Sequence, residues 1–159
     1  MEKNGLYGMN FCTTNSLLTA TGAETVHDTT VLLNYAIGGK AYTKSGTNAD
    51  QVTPTVDGST GLAFTALTAN KACAMVWCYN SAGAVKVVQG PVVNWNGTAF
   101  EVPPTFPAIP DTLCPFAYQI LKAGSTAGTI QFGTTNWNAT GFTNVIQNVL
   151  VLPDRPQIA

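Results

Sequence analysis

Lys71-Ala-Cys-Ala-Met-Val-Trp-Cys-Tyr79, Asn80-Ser-Ala-Gly83 and Ala84-Val-Lys-Val-Val-Gln89 decide the fold class. The first nine residues place apolar groups at odd and even positions alike. A strand built from them has no polar face, so it is covered on both sides and sits inside a sheet. Asn-Ser-Ala-Gly is turn chemistry. The valine-rich return completes a hairpin, and Gly90-Pro91 ends it.

The same grammar extends outward. Val31-Leu-Leu-Asn-Tyr-Ala-Ile37, Gly38-Gly39 and Lys40-Ala-Tyr-Thr43 form a second hairpin, whose glycines supply the positive φ of a type I′ turn. Residues 44–61 hold few large apolar groups and are expected as an exposed loop. Residues 101–115 carry five prolines, which fix φ and remove ladder donors. They are expected as a stiff crossing between two sheets, pinned by Phe106, Ile109 and Leu113. Phe116–Lys122 alternates, with Phe116, Tyr118 and Ile120 on one face. Thr129–Phe132 is expected as a short strand and Gly141–Val151 as a long one. In the latter, Val145, Val149 and Val151 line one face, and Phe142, Ile146 and Leu150 the other. The proline-flanked tail Leu152–Pro156 is expected on the surface. Residues 16–20 have room for one turn of helix, and no long 3.6-residue period occurs anywhere.

These elements predict an all-β fold, an antiparallel β-sandwich, of which a jelly roll is one form. Residues 1–30 are expected as an N-terminal arm or edge segment, and residues 31–159 as the sandwich domain.

Charge is sparse. Seven basic and eight acidic residues make 9% of the chain, against about 25% in an ordinary soluble domain. Residues 123–153, 31 in a row, contain no Asp, Glu, Lys, Arg or His. Interface cores are depleted of charge, because desolvating an unpaired charge costs several kcal/mol. A surface of Thr, Asn, Ser and Gly therefore points to packing against neighbours. Val145, Val149 and Val151 are the candidate interface residues. There is no basic patch to follow phosphates, so nucleic acid is not an expected partner. No window is apolar enough to span a membrane, and no secretory h-region opens the chain, so synthesis in a cytosol is expected. On that ground Cys12, Cys73, Cys78 and Cys114 are read as buried free thiols. Cys73 and Cys78, five apart on a strand, face opposite ways.

Catalytic chemistry finds little footing. The single histidine, His27, cannot build a multi-histidine metal site. It alternates with Asp28, so the two are not a dyad, and it is expected at a surface or edge. Asp50, Asp57, Asp111 and Asp154 lie in apparent turns, and only Glu24 and Glu101 adjoin strands. Asp50 and Asp57 do not follow the EF-hand spacing for calcium. No phosphate-binding loop and no Gly-x-Ser-x-Gly occurs. A non-enzymatic protein with no cofactor and no bound metal is expected. One local repeat stands out, Asn94-Trp-Asn-Gly-Thr-Ala-Phe100 and Asn136-Trp-Asn-Ala-Thr-Gly-Phe142. Trp95 and Trp137 would stack on sugars if exposed, or fill the core if buried.

Four stretches together resemble small β-rich structural proteins of tailed-phage virions, of the head decoration or cement type. They are Ile37–Tyr42, Cys73–Gly90, Phe106–Tyr118 and Leu152–Pro156. The resemblance implies a bacteriophage capsid protein on the outer surface of the virion, a homotrimer that clamps neighbouring copies of a major capsid protein. The alternative is a carbohydrate- or receptor-binding module of a tail or surface fibre.

Overall fold

The computed structural model describes residues 9–23, 25–30, 32–46 and 48–157. Ten strands run β1 (Phe11–Cys12), β2 (Val26–His27), β3 (Leu32–Ile37), β4 (Lys40–Ser45), β5 (Gln51–Val52), β6 (Lys71–Tyr79), β7 (Val85–Gln89), β8 (Val93–Asn94), β9 (Cys114–Ala123) and β10 (Phe142–Asn148). The fold is all-β, and the strand pairs are antiparallel. They divide into a five-stranded sheet ordered β10-β9-β6-β7 with β8 also on β6, a three-stranded sheet β1-β3-β4, and the pair β2-β5. A jelly roll would instead hold eight strands in two sheets. Among the described residues no helix is long and apolar enough to cross a membrane.

β6 is the spine. Ala72 through Tyr79 are all buried, because β6 lies between β9 and β7/β8 and has a layer on each face. Cys73, Met75, Trp77 and Tyr79 face the larger core, and Ala74, Val76 and Cys78 the smaller. The alternation also separates Cys73 from Cys78, as their spacing requires. Asn80 builds the β6–β7 turn, its side-chain oxygen accepting from the N–H groups of Ala82 (3.0 Å) and Ala84 (2.9 Å). The larger core joins the sheets into a sandwich through stacked rings. Tyr42 lies 5.6 Å from Tyr35, Tyr35 5.5 Å from Tyr79, and Tyr79 4.4 Å from Phe116. The β3–β4 turn has φ of 57° at Gly38 and 80° at Gly39, as a type I′ turn demands.

The proline-rich crossing departs from expectation. It leaves β8 and returns as β9, both neighbours of β6, so it does not connect two sheets. Its prolines cannot extend a ladder, and it covers the second face of the central sheet instead. Phe106 sits 5.1 Å from the Tyr118 ring, and Leu113 is buried. The crossing passes so close to Gly90 that a Cβ there would meet the Thr105 carbonyl oxygen at 2.5 Å.

Phe116 also moves. Trp77 pairs with Ala117 and Cys78 with Pro115, so Phe116 is the extra residue of a β-bulge. It turns into the larger core, away from Tyr118 and Ile120. A bulge is also where a sheet tolerates Pro115.

Residues 44–61 are not simply an exposed loop. β5 pairs with β2, and Asn48, Thr53 and Asp57 are buried. Ile130 makes only an isolated bridge to Leu67, not a strand. β10 stops at Asn148. The tail beyond it is partly a cover, with Leu152 on the smaller core, Pro156 buried, and the Gln157 N–H donating to the Tyr118 hydroxyl (2.9 Å). Residues 16–20 are not helical. Ser16, Leu18 and Ala20 alternate inward, and Thr19 bridges Asp28. Residues 1–8 of the expected arm lie outside the described residues. From Phe11 on, the segment is paired and packed, with Cys12, Leu18, Ala20 and His27 buried.

Candidate functional site

The Asn-Trp-Asn repeat marks two similar turns with different fates. In each, the tryptophan meets the phenylalanine five residues on, Trp95–Phe100 at 4.8 Å and Trp137–Phe142 at 6.1 Å. Trp137 is 5% exposed, and its indole N–H donates to the Val26 carbonyl (2.8 Å). It is a core residue. Trp95 is half-buried at one end of the central sheet, in an open cleft of about 580 Å³ with Asn70, Lys71, Asn94 and Glu101 on its walls. The Lys122 ammonium lies 4.9 Å from its ring centroid. Asn94 donates to Glu101 Oε2 (2.7 Å) and accepts from Lys71 Nζ. Lys122 and Phe100 both pack against the ring, and fixed amides and both signs of charge line the rest of the cleft.

His27 is where the sequence reading fails. It is 2% exposed, not at the surface. Its ring lies 4.9 Å from that of Trp77, and Nδ1 is 3.5 Å from the Thr53 hydroxyl. Its Nε2 has no hydrogen-bond partner. Burial pushes its pKa down to about 4, with Asp28 pulling it up and Lys44 pushing it down. Asp28 instead accepts from the Asp50 N–H (2.6 Å), so there is no His–Asp dyad. Asp57 accepts from the N–H groups of Ser59 (2.9 Å), Thr60 (2.9 Å) and Gln89 (2.8 Å), which makes it a structural cap. Glu24 lies outside the described residues. Among the described residues, no cluster of three His, Cys, Asp or Glu is placed to hold a metal ion.

The third feature is an edge. β10 ends the central sheet, and among the described residues no strand pairs with its outer side. Its seven residues, Phe-Thr-Asn-Val-Ile-Gln-Asn, carry no charge and no proline. Two other rims are protected. β4 carries Lys40 and Lys44, and β7 is met by residues 57–58, with the Gly58 N–H donating to Val87 O (2.7 Å). Natural sheets blunt their edges in these ways, and an unguarded edge invites pairing. Of the candidate interface residues, Val145 pairs with Ile120 and is half-buried, Val149 packs on the smaller core, and Val151 is 50% exposed.

Leu17, missed by the sequence reading, lies at the same place. Asn148 Oδ1 accepts from the Leu18 N–H (2.7 Å) and the Ser16 hydroxyl (2.6 Å). Leu17 is thereby held at the C-terminal end of β10. Its side chain is 60% exposed and its φ is 48°, a left-handed conformation that costs a non-glycine residue about 1 kcal/mol or more. The turn at Leu17 lets Ser16 and Leu18 both face inward and leaves the Leu17 side chain in water. No family model matches the chain, and no curated protein or solved structure is significantly similar to it.

Proposed function

We propose that this chain is a non-enzymatic virion structural protein of the head decoration type. It is made in the host cytoplasm, self-associates as a homotrimer, and clamps neighbouring major capsid proteins on the outside of a phage head. The observation that carries this reading is the unguarded, uncharged edge of β10, continued by the exposed Leu17, Leu150 and Val151. An open edge supplies backbone donors and acceptors to a partner strand, and the apolar residues beside it supply burial. The three-fold stoichiometry rests on the resemblance and on the three-fold positions that capsids offer. A protein that binds only the assembled shell stabilises it by its binding free energy at every site. Particles purified with and without this protein, heated in parallel, test the proposal. The protein should be present in fixed stoichiometry and should raise the temperature of rupture. Its absence from purified particles contradicts the proposal.

The Trp95 cleft favours a second reading, a carbohydrate- or receptor-binding module. Glycan-array binding that is lost in Trp95→Ala would support it, and no binding to any glycan would remove it.

A further inference from the structure

Cys12 and Cys114 are 102 residues apart in sequence, and their sulfurs lie 3.7 Å apart inside the larger core. Both are free thiols. Cys12 is on β1, the edge strand of the outer sheet, which is held to β3 by two residue pairs. Cys114 opens β9, next to the spine of the central sheet, where it pairs with Tyr79. The two sulfurs therefore span the two layers of the sandwich. We propose that Cys12 and Cys114 are a cross-linking site, which closes to a disulfide when the protein meets an oxidising small-molecule disulfide such as oxidised glutathione.

The placement favours this pair over the others. Cys73 and Cys78 face opposite sides of β6, and burial pushes the Cys73 thiol up to about 12 and raises that of Cys78. The Cys12–Cys114 hydrogen bond divides its two members, lowering Cys114 and raising Cys12. Either thiol can open the exchange, and a thiolate formed at Cys114 leaves Cys12 as the resolving thiol. Opening of the short β1 edge admits the oxidant. The Cys114 thiolate attacks one sulfur of oxidised glutathione, forming a mixed disulfide and releasing one glutathione thiolate. Cys12 then loses its proton to solvent and attacks the Cys114 sulfur. The protein disulfide forms, and the second glutathione thiolate leaves. Two electrons pass from the protein to the glutathione pair. The closed bond ties the N-terminal segment to the central sheet across a long loop, the arrangement in which a cross-link restricts the unfolded chain most. None of this depends on the capsid role.

The test uses the full chain and a Cys73→Ser/Cys78→Ser variant that keeps only this pair. Each is equilibrated, folded, with oxidised glutathione, then denatured and alkylated. The full chain should lose two of its four thiols, keep no glutathione, stay monomeric across the bond, and yield one linked peptide containing residues 12 and 114. The variant should lose both of its thiols. The guanidinium denaturation midpoint of the oxidised form should rise and return to its former value with reductant. Four free thiols, a lasting glutathione adduct, or a bond through Cys73 or Cys78 would overturn the proposal. Full retention of both thiols in the folded variant would overturn it equally.

Discussion

Trp77 touches most of what makes this core unusual. It donates to Gln119 Oε1 (3.1 Å), packs on Phe132 (5.6 Å) and presses on His27. Its neighbour His27 is buried as the neutral form, so acid should act through it. The folded pKa of about 4 lies below the ordinary 6.5. Between those values the unfolded chain binds more protons than the folded one, so stability is full above pH 6.5 and falls as pH drops towards 4. The stability difference between wild type and His27→Gln, measured by urea titration, should change by about 3 kcal/mol across that window, favouring wild type more at its upper end. Parallel profiles would mean that His27 is charged or solvated when folded. The two repeat tryptophans should also separate. Trp137→Ala should cost about 3–5 kcal/mol, and Trp95→Ala about 1 kcal/mol or less. Equal costs in denaturant melts would contradict the assignment of one to the core and one to the surface. The sequence offered both roles for both residues, because a seven-residue motif does not encode its distance from the core. His27 was illegible for a related reason. Its burial is set by Trp77, 50 positions away, and no local pattern carries that contact.

Elements with their own turn chemistry were legible, and those without were not. Gly38-Gly39 and Asn80–Gly83 announce both hairpins within the turn itself. β2 and β5 have two residues each, too few for any period, so the stretch around β5 resembled a loop. The bulge at Phe116 defeats periodicity outright, since one extra residue reverses every face beyond it. Gly90 yields an element-scale prediction. Gly90→Ala places a methyl against the Thr105 carbonyl and should destabilise by about 1–3 kcal/mol, read as a lowered denaturation midpoint. The β10 edge yields another. Thr143 and Gln147 are exposed on it. Thr143→Lys with Gln147→Lys should leave stability within about 0.5 kcal/mol while reducing self-association, measured by light scattering. Unchanged association would show that the edge is not used. Leu17→Asn should relieve strain, raise the stability of the isolated chain by a few tenths to about 1 kcal/mol, and weaken assembly, because asparagine tolerates the left-handed region.

At the scale of the molecule, a double-covered central sheet needs little surface charge around it. β6 and β9 are buried almost throughout, and the aromatic stack from Tyr42 to Phe116 joins the sheets. The outside can then be spent on contact: residues 123–153 carry no charge, and they include the one long rim left unguarded among the described residues. The sandwich was legible from its hairpins and its absent helical period. The proposed assembly surface was legible only as a composition, because which apolar residues face out depends on where β10 ends and on how Asn148 holds the Leu17 segment. The most direct measurement adds the purified protein to phage heads lacking it and follows co-sedimentation, wild type against Thr143→Lys/Gln147→Lys. Wild type should pellet with the heads at a saturating, fixed ratio, and the charged-edge variant should stay in the supernatant. Wild type left in the supernatant, or both proteins pelleting alike, would contradict an assembly role for this edge.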